Sequence, residues 1–362
     1  MSDWFPYKLP RGSAARPEAK PCRFPWTNPG PASASRAAGH TSQPGKADGV
    51  SLLSGAFRRM VLALGIAVVG LALSGCDRTS TAKDLGGKTR EISVQGKKRT
   101  YDYIVPTNTR SGKIVGVVLA FHGATGSPST MAEISLLHDV AGAAGFVVVY
   151  PAGYKRTWND GLCCGPAQAE NIDDIAFVKA MIGDLKKVLG NDRLPFFATG
   201  FSNGAKLVYR LACTMSDQFA AVAPVGATPK DTDTRCSPSR PVPLLHIHGL
   251  KDVHAPYQGG EGAVFKKHGR LRSVPDTLSF WVRNNRCSTT PDRINANDNR
   301  VDCITYSGCA NNAQVASCSI ADLGHHWPGS FAAERLSFLL GQPSSALNAS
   351  ATITEFFLKY TR

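Results

Sequence analysis

The sequence predicts an α/β fold in which a mainly parallel sheet is covered by helices on both faces. From about residue 91 to the C-terminus, continuous apolar runs of strand length alternate with runs of helical character. Strands that are apolar throughout are typical of parallel sheets buried on both faces. One strand-to-helix boundary carries Gly200-Phe-Ser-Asn-Gly204. Residues 76–362 are numerous enough for one large domain with a substantial core.

The elements follow each other regularly along this region. The alternating stretch 91–105 predicts an edge hairpin that turns at Gln95-Gly96. Apolar runs predict strands over residues 114–121, 146–150, 194–199, 219–225 and 242–248, and helices are expected over 131–144, 171–189, 205–213, 275–285 and 352–360. Asn171 is the expected N-cap of the second helix, and Thr352 with Glu355 predicts a capping box at the last one.

A Gly-x-Ser-x-Gly between a strand and a helix is typical of a nucleophile elbow. The turn is so tight that its central residue is strained, and the flanking glycines let the strand and the helix approach. The side-chain oxygen of Ser202 would then project from the top of the sheet. The alternative is a structural Gly-Ser turn, because the chain has 35 glycines.

A serine nucleophile needs a base, a carboxylate that orients the base, and donors for the oxyanion. Asp252 lies in the loop directly after the strand 242–248, where the orienting carboxylate belongs; a solvated loop carboxylate is the alternative. The other nearby aspartates have no strand ahead of them; these are Asp231, Asp233, Asp292, Asp298 and Asp302. The base is His325 or His326, in a loop bounded by Gly and Pro, and chemistry alone does not choose between them.

The oxyanion donors are expected to be two backbone N–H groups. One belongs to Asn203, directly after the nucleophile, and the other to Ala124, after the strand 114–121. The side chain of His122 is expected to brace the second loop. His246 and His248 alternate on one buried strand, which could suggest a metal. Since no carboxylate or Cys stands at ligand spacing, we expect core histidines with satisfied hydrogen bonds and no metal.

Ten cysteines indicate an exported protein. Setting aside Cys22 in the leader and Cys76 leaves eight, an even number that predicts disulfides formed in an oxidising compartment. We expect Cys163 and Cys164 to bond to Cys213 and Cys236, in an order left open. The later loop would be closed by Cys287–Cys309 and Cys303–Cys318. A metal or redox role for the Cys163-Cys164 pair is the alternative, although the chain has no Cys-x-x-Cys.

Residues 50–75 read as a lipoprotein signal peptide. Arg58-Arg59 precedes a short apolar run that ends in Leu73-Ser-Gly-Cys76, which has the pattern of a lipobox. Cys76 is therefore expected to carry lipid; an ordinary signal peptide is the alternative. Residues 1–49 lack any sustained apolar period, so we expect them to be disordered where they are translated. Our hypothesis is that translation starts near Val50 and leaves them out. Residues 76–90 are a polar tether, and 91–362 form the catalytic domain.

The formal net charge of +14 falls to +8 for residues 76–362, because nine of the 41 basic and three of the 27 acidic residues precede Cys76. Nucleic acid is a poor partner for a lipoprotein. Attraction to anionic cell-surface polymers, or simple solubility, is a sufficient reason for this charge. We expect a monomer that meets the membrane only through its lipid anchor.

Together these motifs resemble the secreted polyhydroxybutyrate depolymerase and feruloyl esterase family of α/β-hydrolases, which includes acetylxylan esterases. The resemblance covers residues 91–362 and is carried by Leu119-Ala-Phe-His-Gly-Ala124, Trp158 with Cys163-Cys164-Gly165, Ile172-Asp-Asp-Ile-Ala-Phe177, the Ser202 motif, Phe219-Ala-Ala-Val-Ala-Pro224, His248-Gly-Leu-Lys-Asp252 and Gly324-His-His-Trp-Pro-Gly329. Two departures are a one-residue shift in Asp252-Val-His-Ala-Pro-Tyr257, near His254, and Leu323 in place of a frequent Gly.

The resemblance implies an α/β-hydrolase fold and ester hydrolysis through an acyl-enzyme, without a cofactor. It selects His325 over His326, because the family motif Gly-His-x-Trp-Pro-Gly places the catalytic histidine first. Trp158, Tyr257 and Trp327 could stack on an aromatic or sugar ring, or could simply be packing residues.

The expected function is that of an exported, lipid-anchored serine carboxylesterase of the feruloyl or acetyl-polysaccharide type. The first alternative is a depolymerase acting on polyhydroxybutyrate oligomers. The alternative from another class is a non-catalytic ligand-binding lipoprotein on the same fold.

Overall fold

A ten-stranded sheet runs through the part of the chain that the structure describes. The computed structural model describes residues 86–361, apart from 108, 110–111, 164, 264–268, 295–297 and 331–336. The leader, the signal peptide, Cys76 and most of the tether therefore lie outside the described residues.

The strands follow the predicted order, with three more near the C-terminus. They are β1 (Lys88–Val94), β2 (Lys97–Ile104), β3 (Gly116–Phe121), β4 (Phe146–Pro151), β5 (Phe196–Phe201), β6 (Phe219–Val225), β7 (Leu244–Gly249), β8 (Asp292–Ile294), β9 (Val301–Tyr306) and β10 (Val315–Ile320). The helices are α1 (Pro128–Ser135), α2 (Leu137–Ala143), α3 (Gly165–Ala169), α4 (Asp174–Leu189), α5 (Asn203–Thr214), α6 (Val274–Asn284), α7 (Ser337–Leu340) and α8 (Ala349–Leu358), with 3₁₀ turns at Ser216–Gln218 and Ala310–Asn312.

The sheet is parallel in its centre and antiparallel at both edges. Its order is β1-β2-β4-β3-β5-β6-β7-β10-β9-β8. The six strands from β4 to β10 in this order pair in parallel, whereas β1 and β2 on one side and β9 and β8 on the other pair antiparallel. Every residue of β3, β4 and β5 is buried. Since successive side chains point to opposite faces, both faces of the central sheet are covered, which confirms the predicted fold class.

The strands β8, β9 and β10 are absent from the sequence-based prediction. β9 alternates buried and partly exposed residues, and β10 carries Ser317, Cys318 and Ser319 in its middle. Neither is a continuous apolar run, so the pattern that identified the central strands does not mark them. β10 is nevertheless an inner strand, because it pairs in parallel with β7 and antiparallel with β9.

Three predicted helix boundaries are wrong. The helix expected over 131–144 is two helices, α1 and α2, separated by Leu136 in the left-handed conformation with a φ of 49°. Helix α4 is capped by the side chain of Asp173 rather than by Asn171. Helix α8 begins at Ala349 and is capped by Asn348, so the capping box expected at Thr352 does not form.

Three disulfides join described residues. Cys287 bonds to Cys309 and Cys303 to Cys318, which are the two pairs expected for the later loop. Cys213 bonds to Cys236, so the expectation that these two cysteines pair with Cys163 and Cys164 is wrong. Cys163 is also disulfide-bonded, and Cys164 lies outside the described residues. Several disulfides in one domain fit an oxidising compartment and therefore export.

No helix within the described ranges is both long enough and apolar enough to span a membrane.

A buried ion pair ties the edge of the sheet to α4. Arg99 of β2 donates to the Asp174 carboxylate at 2.7 Å, and both side chains are almost fully buried. The second Asp174 oxygen accepts from the backbone N–H of Asn159 at 2.7 Å. The Arg99 guanidinium also lies 4.0 Å from the centre of the Phe177 ring. The first-turn aspartate of α4 is thus a buried anchor for the loop that contains Trp158.

We predict that Asp174→Ala lowers the free energy of unfolding by about 3–5 kcal/mol, because the Arg99 charge stays buried without its partner. The matched control is Glu91→Gln, which breaks the exposed Lys98–Glu91 pair and should cost no more than about 1 kcal/mol. Chemical denaturation followed by circular dichroism measures both changes. Equal decreases in the free energy of unfolding for the two variants would show that the buried pair stabilises the fold no more than the exposed pair.

Candidate active site

Ser202 stands on a strained turn between β5 and α5. Its φ is 55° and its ψ is −116°, a conformation that a non-glycine residue adopts only when its surroundings hold it there. The Ser202 N–H donates to the carbonyl of Val225 on β6 at 3.0 Å. The serine is thereby fixed at the carboxyl end of β5, as the predicted nucleophile elbow requires.

The two glycines of the motif let three backbones meet. A Cβ added to Gly204 would lie 2.3 Å from the carbonyl oxygen of Phe121 at the end of β3. A Cβ added to Gly200 would lie 2.7 Å from the carbonyl group of Gly204. Neither distance is possible for a real side chain, so β3, β5 and α5 can approach this closely only with glycine at both positions.

His325 connects Ser202 to Asp252. Its Nε2 lies 2.8 Å from Ser202 Oγ, and its Nδ1 lies 2.6 Å from Asp252 Oδ2. An ionised carboxylate can only accept, so Nδ1 carries the proton and Nε2 offers its lone pair to the serine hydroxyl. A hydroxyl, an imidazole and a buried carboxylate in this order can generate a nucleophile at Ser202.

Neighbouring strands bring the acid and the histidine together. Asp252 follows β7 and His325 follows β10, and these strands pair in parallel, with Gly249 opposite Ile320. Beyond the strands, Lys251 N–H donates to Leu323 carbonyl at 3.0 Å. A Cβ on Gly249 would lie 2.2 Å from that same Leu323 oxygen. The two loops are thus held against each other by their backbones.

The Asp252 carboxylate is buried and well supplied with donors. Its Oδ1 accepts from the N–H groups of His254 and Ala255, both at 2.8 Å. Burial alone would raise its pKa, but the charge and hydrogen bond of His325, together with the N–H of Ala255, outweigh burial and hold the pKa below its usual range. Asp252 is therefore an anion near neutral pH, able to stabilise a charged His325.

His326 is directed elsewhere. Its Nε2 lies 2.7 Å from the carbonyl oxygen of Gly341 and donates to it. Burial lowers the pKa of His326, which favours the neutral form. Of the two adjacent histidines, only His325 reaches Ser202, in agreement with the choice implied by the family motif.

His246 and His248 form a buried hydrogen-bonded chain behind Asp252. His248 Nε2 lies 2.7 Å from the carbonyl oxygen of Ala255, His248 Nδ1 lies 2.9 Å from His246 Nε2, and His246 Nδ1 lies 2.8 Å from the Tyr209 hydroxyl. Burial lowers the pKa of both histidines, so both are neutral. They are core histidines with satisfied hydrogen bonds, as the sequence indicated.

Only one assignment of donors and acceptors fits the hydrogen bonds that join Tyr209, His246, His248 and Ala255. Because the Ala255 oxygen only accepts, His248 carries its proton on Nε2 and accepts at Nδ1. His246 must then donate from Nε2 and accept at Nδ1, which leaves the Tyr209 hydroxyl as the donor. The chain ends on Ala255, whose own N–H donates to Asp252. Three buried side chains thus support the loop that orients the acid.

The two expected oxyanion donors lie beside Ser202. Asn203 is the first residue of α5, so its N–H has no partner within the helix. Ala124 lines the same cavity as Ser202, Asn203 and His325. The side chain of Asn203 exchanges two hydrogen bonds with the backbone of Trp158, at 2.8 and 3.0 Å, which fixes the start of the helix.

His122 braces the loop before Ala124, as expected. Its Nδ1 donates to the Gly123 carbonyl at 2.7 Å, and its Nε2 accepts from the N–H of Gly153 at 3.0 Å. Burial lowers its pKa to about 4, so the ring stays neutral and keeps both hydrogen bonds. The loop that presents the Ala124 N–H is therefore held at two points.

Two of the three aromatic residues proposed to contact substrate are interior residues. Trp158 is completely buried and its indole N–H donates to the carbonyl of His122 at 2.9 Å. Trp327 is also buried, with its indole N–H on the Ser350 hydroxyl. Both rings are therefore packing residues, which is the alternative that the sequence left open for them. Tyr257 is half-buried, with its ring edge against His248, and it is not among the residues lining the Ser202 cavity.

Other residues line that cavity without having been predicted. They include His254, Lys206 and Leu271, and the ring of Phe201 lies 4.9 Å from that of His325. His254 follows Asp252 by two residues, within the segment where the chain departs from the family motif. Lys206 follows Asn203 by three residues and so shares its helix face, a signal that the sequence did offer.

Within the described part of the chain, no group of three or more His, Cys, Asp or Glu side chains is placed to hold a metal ion.

The sheet order, the strained elbow and the Ser202–His325–Asp252 arrangement together define a protein of the α/β-hydrolase class. The comparisons with known proteins agree with this class. No family model matches the chain. Feruloyl esterase B of Piromyces equi is 26% identical over 228 residues, 61% of this chain and 41% of its own length. NocK, an inferred esterase of Nocardia uniformis subsp. tsuyamanensis, is 26% identical over 301 residues, 78% of this chain and 83% of its own.

A third relative is the bifunctional acetylxylan esterase/xylanase of Neocallimastix patriciarum, 26% identical over 235 residues, 64% of this chain and 31% of its own length. The chain thus spans less than half of two of these three relatives. The chain is similar to feruloyl and acetylxylan esterases, which confirms the resemblance that its motifs predicted.

We predict that Gly204→Ala abolishes soluble expression or lowers the free energy of unfolding by more than about 3 kcal/mol, because the new methyl group overlaps the Phe121 carbonyl and the backbone must move. Gly183→Ala in the middle of α4 is the matched control. Nothing lies within 4 Å of its added methyl group, so it should stabilise by roughly 0.5–1 kcal/mol. Thermal melts of both variants measure the difference, and a Gly204→Ala protein as stable as the wild type would contradict the close approach.

Proposed function

We propose that this protein is an exported carboxylic ester hydrolase in which Ser202, His325 and Asp252 act through an acyl-enzyme. The observation that carries the proposal is the continuous hydrogen-bonded path from the Ser202 hydroxyl through His325 to a buried, ionised Asp252. The strained conformation of Ser202 gives further support, because such strain is typical of functional residues.

The proposed reaction has two similar halves. Ser202 Oγ attacks the ester carbonyl while His325 Nε2 takes its proton, and Asp252 stabilises the resulting imidazolium. The N–H groups of Asn203 and Ala124 hold the oxyanion. His325 then protonates the departing alcohol, which leaves an ester of Ser202. Water, deprotonated by His325, attacks this ester, and the acid product leaves with Ser202 restored.

We further propose that the natural substrates are feruloyl or acetyl esters of polysaccharides. This choice is supported by the names of the relatives, which include a feruloyl esterase and an acetylxylan esterase. Hydrolysis of 3-hydroxybutyrate oligomers is the second candidate, because the same three residues would perform it. A panel of methyl ferulate, acetylated xylan, p-nitrophenyl esters and 3-hydroxybutyrate oligomers separates the two.

A non-catalytic binding protein on this fold is the rival from another class. A fluorophosphonate probe reacts with an activated serine, so labelling of the wild type but not of Ser202→Ala would exclude this rival.

The chain is also proposed to be anchored in the cell envelope by lipid at Cys76. The Leu73-Ser-Gly-Cys76 pattern supports this proposal, and disulfides among the described residues fit an oxidising compartment. The periplasmic and cell-surface faces are both compatible with such an anchor. Asp77 directly after the lipidated cysteine favours, by analogy with some Gram-negative lipoproteins, retention at the inner membrane.

We predict that His325→Ala lowers kcat by several orders of magnitude, leaving roughly the 10³–10⁴-fold acceleration over water that an oxyanion hole and binding provide. Asp252→Asn should lower kcat by up to about 10⁴-fold, because the imidazole then adopts the wrong tautomer. His326→Ala removes the hydrogen bond to the Gly341 carbonyl and no contact with Ser202, so it should keep much of the rate. Hydrolysis of p-nitrophenyl acetate measures all three, with thermal melts to exclude unfolding. A folded, fully active His325→Ala protein would overturn the assignment.

We predict that Cys76→Ala releases the protein from the membrane fraction or leaves an unprocessed precursor, because the acceptor of the lipid is gone. Metabolic labelling with a tagged fatty acid, together with membrane fractionation, measures the change. Cys22→Ala, which lies in the proposed leader, should alter neither result. Unchanged labelling of Cys76→Ala would rule out this anchor.

A further inference from the structure

A second cavity adjoins the one that contains Ser202. It has a volume of about 140 Å³, and Lys206 lines both cavities. Its wall is formed by α5, by the Cys213–Cys236 disulfide and by the first turns of α6, with Leu162, Pro229 and Phe280 as apolar lining. The reaction proposed above gives these lining residues no direct step, although Tyr209 among them supports the loop of Asp252.

The lining carries an excess of positive charge. Five basic side chains contribute to it and only two carboxylates do, which gives a formal net charge of +3; the basic residues are Lys206, Arg210, Lys230, Arg235 and Arg272, and the acidic ones are Asp160 and Asp233. We call this space the cationic cavity. Electrostatic interactions inside a recess are screened less than on an open surface, so the excess produces a field that attracts anions.

Hydrogen bonds with backbone carbonyls hold several of these cations in place. Lys230 donates to the Leu162 carbonyl at 2.5 Å, Arg210 to that of Asn159 at 2.8 Å and Arg272 to that of Asp233 at 3.1 Å. Carbonyl oxygens orient a cation but do not neutralise its charge. The Asp233 carboxylate pairs with Arg235 at 3.1 Å. The cations are therefore preorganised, and the charge excess persists.

Lys206 is influenced by this arrangement. Burial lowers the pKa of its amine and the neighbouring Lys230 lowers it further, while Asp160 raises it. A bound anion would act in the same direction as Asp160 and offset the repulsion between Lys206 and Lys230. The cavity is thus better suited to a ligand that carries a carboxylate than to a neutral one.

The helix that starts at the nucleophile leads into the cationic cavity. Asn203, Lys206 and Arg210 lie three and four residues apart on one face of α5. With a rise of about 1.5 Å per residue, Lys206 and Arg210 stand roughly 6 and 12 Å along the axis from Ser202. A group bound between them would lie several atoms from an ester carbonyl held at Ser202.

We propose that the cationic cavity binds a carboxylate carried by the ester substrate, several atoms from the bond that is cleaved. The inference rests on the proposed esterase function and names a substrate class for it, acidic esters. The carboxylate meets Lys230, Arg272 and Lys206, and the carbon chain that joins it to the ester packs on the apolar lining. The carboxylate could belong to the acyl half or to the alcohol half of the ester.

Matched pairs of substrates test each half. For the acyl half, mono-p-nitrophenyl adipate is compared with p-nitrophenyl hexanoate, which has the same chain length without the carboxylate. For the alcohol half, the 3-hydroxybutyrate dimer is compared with its methyl ester. We expect kcat/KM for the acidic member of at least one pair to be about tenfold higher at low salt. The preference should largely disappear in about 1 M NaCl, because salt screens the cavity.

Two variants test whether the preference for acidic esters depends on the cationic cavity. Lys230→Gln and Arg272→Gln should each reduce the ratio of kcat/KM for the acidic over the neutral ester by about three- to tenfold. The matched control is Lys98→Gln, which removes the same charge from the exposed hairpin of β1 and β2 and should leave the ratio within about twofold of wild type. Thermal melts show that each variant is folded.

The outcomes separate this inference from the proposed function. If neutral esters are hydrolysed and a fluorophosphonate labels Ser202, but neither pair shows a preference, the cationic cavity is not a substrate site and the esterase function stands. If no ester is cleaved and Ser202 is not labelled, the esterase function fails. Calorimetric titration with monomethyl adipate then tests whether the cationic cavity binds a carboxylate. Weaker binding to Lys230→Gln than to the wild type supports an anion site. Equal binding to both proteins, or no binding to the wild type, overturns it.

Discussion

The parallel alignment of β3, β5, β7 and β10 is the constraint on which the site depends. In a parallel sheet the carboxyl ends of all strands reach the same edge, so the segments that follow these four strands meet there. They supply Ala124, Ser202, Asp252 and His325 in turn. Strand order then determines proximity, since β3 and β10 flank β5 and β7 on opposite sides. Residues as far apart in sequence as Ser202 and His325 come within 2.8 Å for this reason.

The parts of the fold and site that could be predicted are those that depend on residues close together in the sequence. Continuous apolar runs marked the central strands, and the Gly-x-Ser-x-Gly between a strand and a helix marked the elbow, because tight backbone approach admits only glycine. Asp252 could be identified as the orienting acid because it directly follows a predicted strand. His325 could not be identified in this way. Chemistry alone could not separate it from His326, and the distinction came from a motif; the structure adds a physical reason, since His326 is engaged with Gly341.

The parts that could not be predicted depend on tertiary contacts. Trp158 resembles a residue that stacks on a substrate, and only the packed structure reveals that its indole is buried between Phe121 and His122. Disulfide pairing depends on which cysteines the folded chain brings together, and Cys213 at the end of α5 meets Cys236 rather than the Cys163-Cys164 pair. β10 lacks an apolar run, so its place beside β7 is set by its neighbours and not by its own pattern.

The position of helix α5 also determines where the buried polar groups behind the site lie. Tyr209 lies on α5, seven residues after Ser202, and donates through His246 and His248 toward the loop of Asp252. The same helix presents Lys206 and Arg210 to the cationic cavity. Tyr209, which supports the loop of the orienting acid, lines that cavity as well. Helix α5 begins directly after Ser202, at the nucleophile elbow. The strained turn that exposes Ser202 therefore also determines the positions of Tyr209 and of the cationic cavity relative to Ser202.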